Sequence, residues 1–347
     1  MEFCKPETDY CAGVDLHWDN MVLCVLRRDG EKLVHRRLRN DAKTFGRVLA
    51  PYTESITLAV ESTGTWYWLC DLCAELGVKF VLGHALYMKW IHGAKAKDDY
   101  IDSEKIARIL LGGNLPVAYA HPKELRATRD LLRRRGRFVS MRTGMISHIK
   151  VVNAQVNMPA LGKAAAAFDT RATLGGRFED PDLAMSVEAD AVTIDYYEAM
   201  ITQIEKHVLE RTREYCPKEL ALLMSAPGIG KILGLTIALE VHDIARFPTR
   251  QDFCSYCRLI QDAHRSNGKA SGSAGHKIGN PYLKWAFSEA AALSPRYDAR
   301  VNALLQKLQK KHGHGGGLSV LAHKFGRAVY HMLKNGTIFD IEKFVRG

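Results

Sequence analysis

The hydrophobic pattern divides the chain into a strand-rich front and a helical remainder. Residues 10–16 form an apolar run with little alternation, as a strand covered on both faces requires, and residues 21–26 form a second. Arg28-Asp29-Gly30-Glu31 supplies a turn into a third, more alternating strand over 32–38. Asn40 or Asp41 can cap a helix over 42–52, and a fourth strand over 56–61 follows. An amphipathic helix over 66–76 ends at Gly77, and a fifth strand covers 78–82. Three strands in a meander, then helix, strand, helix, strand, is the order of an RNase H-like α/β domain, although pattern alone leaves other α/β sheets open.

After Pro116 the strands disappear. Residues 121–158 read as one long helix with an interruption expected near Gly136 or Gly144, and 160–184, rich in Ala, Gly and Asp, read as a linker. A second long helix over 187–215 carries Ala191, Ile194, Tyr197, Ile201, Ile204 and Val208 on one stripe. Two long helices joined this way predict an antiparallel coiled coil, which also offers a dimerisation surface. From Pro217 onward the chain reads as mostly α-helical. Residues 222–231 followed by an apolar helix have the form of a helix-hairpin-helix, and 264–280 form a polar, glycine-rich loop. Helices over 282–293, 298–311 and 319–334 close the chain, with 312–317 as a loop. The expected divisions are therefore 1–120, 121–216 and 217–347.

Composition adds a partner. The 347 residues are 47% hydrophobic and 25% charged, as in a soluble globular protein of two or three domains. No apolar run approaches the ~20 residues needed to cross a bilayer, and the first residues lack a signal-peptide core, so a cytoplasmic protein is expected. The formal charge of +11 calls for a polyanion, and nine Lys or Arg lie between Lys123 and Lys150 against Glu124 and Asp130. Arg133, Arg134, Arg135 and Arg137 are the densest part of that stripe. Gly228 and Gly230 allow a tight turn whose backbone N–H groups, with Lys231 at the start of the next helix, could hold a phosphate. A nucleotide-binding P-loop is excluded, because the spacing is wrong and Ile232 stands where Ser or Thr is needed. The Cys70/Cys73 and Cys254/Cys257 pairs have zinc-knuckle spacing but sit in apolar, helix-like contexts, which favours core thiols.

Four acids carry candidate chemistry. Asp15 and Glu61 are each the first charged residue at the end of a buried strand, where a central sheet delivers side chains to one edge. Asp99 and Asp102 are three residues apart, so on a helix they share a face. Each acid alone reads as an ordinary solvated carboxylate. Grouped, they would repel unless a cation sat among them, and an all-oxygen site selects Mg²⁺.

The motifs Gly13-Val14-Asp15, Val60-Glu61-Ser62-Thr63-Gly64, Lys97-Asp98-Asp99-Tyr100-Ile101-Asp102-Ser103, Pro227-Gly228-Ile229-Gly230 and His264-Arg265-Ser266-Asn267-Gly268-Lys269 occur in one order along the chain. In this the sequence resembles the DEDD-type insertion-sequence transposases related to the Piv DNA invertase, the bridge-RNA-guided serine recombinases. The resemblance implies a RuvC-like N-terminal domain, a coiled-coil insertion and a C-terminal transposase domain with a nucleophilic serine. It assigns Asp15, Glu61, Asp99 and Asp102 to the acidic tetrad and Ser266 to the serine motif. It also implies donor and target DNA, a structured noncoding guide RNA and a homo-oligomer as partners. Two positions depart from the family pattern. Arg265 and Asn267 replace a serine and a glycine beside Ser266, which leaves Ser271 and Ser273 as weaker candidates, and Asp98 stands where Thr is common. Arg265 and Lys269 could clamp a phosphate, and His264 could act as a base. The alternatives are a RuvC-like, Mg²⁺-dependent, structure-specific endonuclease and a non-catalytic nucleic-acid-binding protein.

Overall fold

The apolar runs at the front of the chain become the inner strands of a five-stranded sheet. The computed structural model describes residues 2–91, 98–161, 173–260, 265–266, 269–270 and 278–346, with the backbone alone at 89–91, 265–266 and 269–270. The strands are β1 (Phe3–Cys4), β2 (Tyr10–Leu16), β3 (Asn20–Arg27), β4 (Lys32–Arg39), β5 (Ile56–Glu61), β6 (Lys79–Gly83) and β7 (Leu115–Pro116). Across the sheet the order is β4-β3-β2-β5-β6, antiparallel from β4 to β2 and parallel from β2 to β6, while β7 pairs with β1 apart from it.

Four helices belong to this first unit: α1 (Ala42–Leu49), α2 (Tyr67–Glu75), α3 (Ala85–Ile91) and α4 (Asp99–Leu111). Ala12, Val14 and Leu16 of β2 pack with Phe45, Leu49, Leu69 and Cys73 of α1 and α2. Cys11 and Ala59 pack with Ile106 and Leu110 of α4 on the opposite face. Burial on both faces is why β2 lacks polar alternation. Asp41 caps α1 by accepting from Thr44 N at 2.6 Å. The helix stops at Leu49 rather than 52, because Pro51 has no N–H to continue the ladder. The sequence reading contained no α3, whose seven residues are too few for a helical period to register.

The chain divides into two compact units, Met1–Lys123 and Glu124–Gly347, so the expected 121–216 region, apart from its first three residues, and the 217–347 region fall in one unit. Its first elements are α5 (Lys123–Gln155) and α6 (Pro181–Tyr215). No interruption occurs at Gly136 or Gly144; both face open space, where glycine costs helix propensity but breaks no contact. The second helix begins before the expected 187, since Asp180 caps it through Asp182 N and Leu183 N and Pro181 suits its first turn. The two helices run antiparallel: Arg135 pairs with Glu205, Arg142 with Glu198 and His148 with Asp190, partners descending on one helix as they rise on the other.

The remaining elements are α7 (Pro217–Met224), α8 (Lys231–Val241), α9 (Arg250–Tyr256), a ladder of β8 (Arg265–Ser266) with β9 (Lys269–Ala270), α10 (Pro281–Leu293), α11 (Ala299–Asn335) and α12 (Ile341–Arg346). Phe253, Phe287 and Phe325 are fully buried at their centre. The loop expected over 312–317 reduces to one non-helical residue, Gly313 (φ 75°, ψ 170°), inside α11. Glycine adopts that backbone without strain, so the helix kinks there and resumes. The cysteines are free thiols; Cys73, Cys254 and Cys257 are buried, and desolvation pushes Cys73 up to about 12. No helix among the described residues is long and apolar enough to cross a membrane.

Candidate functional site

Side chains alternate along a strand, and β2 therefore sends Cys11, Gly13 and Asp15 towards α4 while Ala12, Val14 and Leu16 face the other way. Val14 pairs in parallel register with Val60, which sets Glu61 level with Asp15 at the ends of adjacent strands. The helix crosses the strand at minimal distance. A Cβ on Gly13 would lie 2.2 Å from Ser103 O and 2.4 Å from Ala107 N, both backbone atoms. Only glycine permits this approach, and it brings the first turn of α4 to the end of β2.

Along β4, Lys32 pairs with Glu104, His35 Nε2 lies 3.0 Å from Tyr100 O, and Arg37 donates to Asp99 Oδ2 at 2.8 Å. These contacts clamp the first two turns of α4. Asp98, the extra acid of the motif, is the N-cap: its carboxylate accepts from Tyr100 N at 3.1 Å. Its role is to start the helix that carries Asp99 and Asp102.

The resulting cluster is Asp15, His17 and Asp99, whose ligating atoms all lie within 4.8 Å of one another. His17 Nε2 is 3.3 Å from Asp15 Oδ2 and 3.3 Å from Asp99 Oδ1. Glu61 and Asp102 are not members of it; the Asp102 carboxylate lies 3.3 Å from Lys105 Nζ. Burial, and then the charges of Asp99 and Asp102, push the Asp15 carboxyl above its ordinary range against the opposing pull of His17. The Arg37 hydrogen bond holds Asp99 below that range. An anion made costly by burial and by two neighbouring carboxylates is a site that a cation relieves. The carboxylate oxygens fit a hard ion such as Mg²⁺, while the His17 nitrogen is a softer donor. The sequence reading missed His17, although its position two residues after Asp15 places it on the same side of an extended chain.

Ser266 lies in the second unit, on the β8–β9 ladder, where it pairs with Lys269 and Arg265 pairs with Ala270. His264, Ser271 and Ser273 fall outside the described residues. Residues 12–156 match the family model of DEDD transposases of the IS110 type, and residues 220–306 match the model of the transposase IS116/IS110/IS902 family. The chain belongs to the IS110-type transposases. No curated protein matches it. The two matched segments of the transposase contain Asp15, Glu61, Asp99 and Asp102 in the first and Ser266 in the second. DNA is accordingly its partner and DNA transposition its function.

The transposase uses much of its basic stripe internally. Glu240 of α8, 2% exposed, receives Arg129 Nε at 3.0 Å, Arg133 Nε at 2.6 Å and Asn280 Nδ2 at 2.8 Å. Arg133 also lies over the Tyr282 ring, Arg135 pairs with Glu205, and Arg126 is buried. Exposed guanidinium groups remain at Arg134, which lies over the Phe138 ring, and at Arg137.

The turn between α7 and α8 also divides its roles. Gly228 has φ 83°, and a Cβ there would lie 2.7 Å from Ala290 O and from Ser294 N, so this glycine lets the turn pack on the end of α10. Gly230 and Lys231 are exposed, and Gly230 is the N-cap of α8 with no side-chain cap.

Proposed function

We propose that this transposase cuts and rejoins DNA through a serine–phosphodiester intermediate at an RNase H-like acidic site, with a structured guide RNA choosing the sites. The observation that carries the reading is the pair of carboxylates, Asp15 and Asp99, gathered at the end of β2 by the close passage of α4. Asp15 and Asp99, with Glu61 and Asp102 beside them, would hold Mg²⁺. The ion, when bound, would neutralise charge on the scissile phosphate and lower the pKa of the attacking hydroxyl.

The Ser266 hydroxyl attacks phosphorus: its Oγ–P bond forms, one bridging P–O bond breaks, its proton passes to a base, and the leaving strand oxygen takes up a proton. One phosphodiester is exchanged for another, so a strand hydroxyl can later displace the serine with little net change in energy and without ATP. Arg265 and Lys269 flank the serine as phosphate ligands, and Gly230 and Lys231 offer a second backbone contact at the start of α8. Guide RNA and a homo-oligomeric assembly are proposed from the family resemblance.

Ser266→Ala is expected to abolish covalent protein–DNA adducts, resolved on denaturing gels, while nucleic-acid binding persists; an undiminished adduct removes Ser266 from the role. Asp102→Asn is expected to reduce Mg²⁺-dependent strand cleavage at least a hundredfold, the scale of losing an electrostatic stabiliser. Cleavage that survives in full would remove Asp102 from the acidic site, and the same result in Asp15→Asn would reject the site itself. A second reading, a hydrolytic RuvC-like endonuclease, is favoured by the location of the whole Asp15–His17–Asp99 cluster within the first unit. Strand cleavage by Ser266→Ala without any adduct would select it. Sequencing of co-purified nucleic acid tests the guide: a discrete structured RNA supports it, and random fragments reject it.

A further inference from the structure

A groove of about 860 Å³ runs between α5, α8 and α10, all within the second unit. Its size falls in the ~300–1,000 Å³ range of small-ligand sites. Tyr282 and Trp285, three residues apart on α10 and so on one side of it, line the groove and are 37% and 41% exposed. Opposite them α5 contributes Arg133, Arg134 and Arg137.

The acids at this groove do not cancel its charge. Glu240 is buried and already receives Arg129, Arg133 and Asn280, and Asp130 is the other lining carboxylate. The bond from Asn280 has a second effect: Asn280 is also the N-cap of α10, so the same buried carboxylate fixes the start of the helix that presents both aromatic rings. The start of the helix that carries the rings is therefore tied to the buried carboxylate. A guanidinium already lies on one of its faces, with Arg133 Cζ 4.3 Å from the Tyr282 ring centroid.

Exposed rings beside exposed arginines match one kind of ligand. An apolar peptide would leave Arg134 and Arg137 unmatched, and a DNA duplex keeps its base faces stacked on one another. An unpaired strand offers flat bases to the rings and phosphates to the arginines. We propose that this groove holds an unpaired DNA nucleotide, its base against Trp285 beside the Arg133–Tyr282 stack and its phosphates on Arg134 and Arg137. The inference rests on the reading of the protein as one that opens and exchanges DNA strands, which exposes such nucleotides.

Binding of the full chain to fluorescein-labelled single-stranded DNA, duplex DNA and RNA of one sequence, in EDTA across a salt series, tests it. Trp285→Ala is expected to weaken single-strand binding about tenfold, the loss of one stacked base. The slope of log affinity against log salt should stay unchanged, because stacking releases no counterions. Duplex binding should also be unaltered, and Trp285→Phe should retain most of the affinity. The double variant Arg134→Gln, Arg137→Gln should instead flatten the slope by about 1.4. Unchanged single-strand affinity in Trp285→Ala, an equal loss on duplex, a loss in Trp285→Phe as large as in Trp285→Ala, or a loss on RNA tenfold larger than on single-stranded DNA in Trp285→Ala would each overturn the proposal. The serine mechanism fails separately, because these isotherms require no adduct.

Discussion

Gly13→Ala is expected to destabilise the first unit by about 3 kcal/mol, the upper end of the usual cost of overpacking, and to remove strand cleavage with it. The new Cβ would meet Ser103 O and Ala107 N, and neither can rotate away as a side chain would. The whole of α4 must lift from β2, carrying Asp99 away from Asp15 and His17. Gly83 supplies the control. A Cβ there would lie 2.5 Å from Met88 Sδ, a flexible thioether that can move, so Gly83→Ala should cost much less. Amide hydrogen exchange resolved to β2 and α4 reads the first unit separately from the second, which matters because a two-unit chain need not unfold in one step. Equal protection in Gly13→Ala and the parent protein would show that the crossing is looser than described.

Glu240→Ala is expected to cost the second unit about 3–5 kcal/mol, because it leaves the paired cations Arg129 and Arg133 without their buried partner. It would also cut the link to Asn280 at the start of α10. Burial raises the Glu240 pKa, but the Arg133 hydrogen bond and the charges of Arg129 and Arg133 outweigh it and hold the carboxyl below its ordinary 4.5. A group depressed on folding stabilises fully above its unfolded pKa and loses that contribution as pH falls through the folded value. The stability gap between the parent protein and Glu240→Gln should therefore be widest above pH 4.5 and close in more acidic solution. Urea unfolding at several pH values measures it; a gap that does not change with pH would mean that Glu240 is not ionised in the fold.

Much of the architecture was legible because it depends on local pattern. The unalternating runs at 10–16 and 21–26 mark strands covered on both faces, and the spaced apolar residues from Ala191 to Val208 mark one helix stripe. The pattern starts α6 too late although Asp180-Pro181 is a clear cap signal, because the small polar residues around it look like linker. Gly313 looks like part of a loop for a similar reason: a run rich in glycine does not reveal how little of it leaves the helix.

The basic stripe shows the opposite case. Nine Lys or Arg in one segment point to phosphate only while their partners are unknown. Glu240 lies more than a hundred residues from Arg129 and Arg133, so no local pattern could show that it neutralises them. Folding thus separates Arg134 and Arg137, which remain exposed, from neighbours that hold the unit together.

By itself the sequence determined the chain order of the five sheet strands, the two long helices that follow them, the excess positive charge and the placement of acids at strand ends, since each follows from residue spacing or from a sum over residues. Only the tertiary structure decided that Asp15 and Asp99 meet with His17 between them, that Asp98 caps rather than joins them, and which arginines are spent on Glu240. Those outcomes depend on how closely α4 crosses β2 at Gly13 and on pairings between distant segments, and both are set by three-dimensional packing.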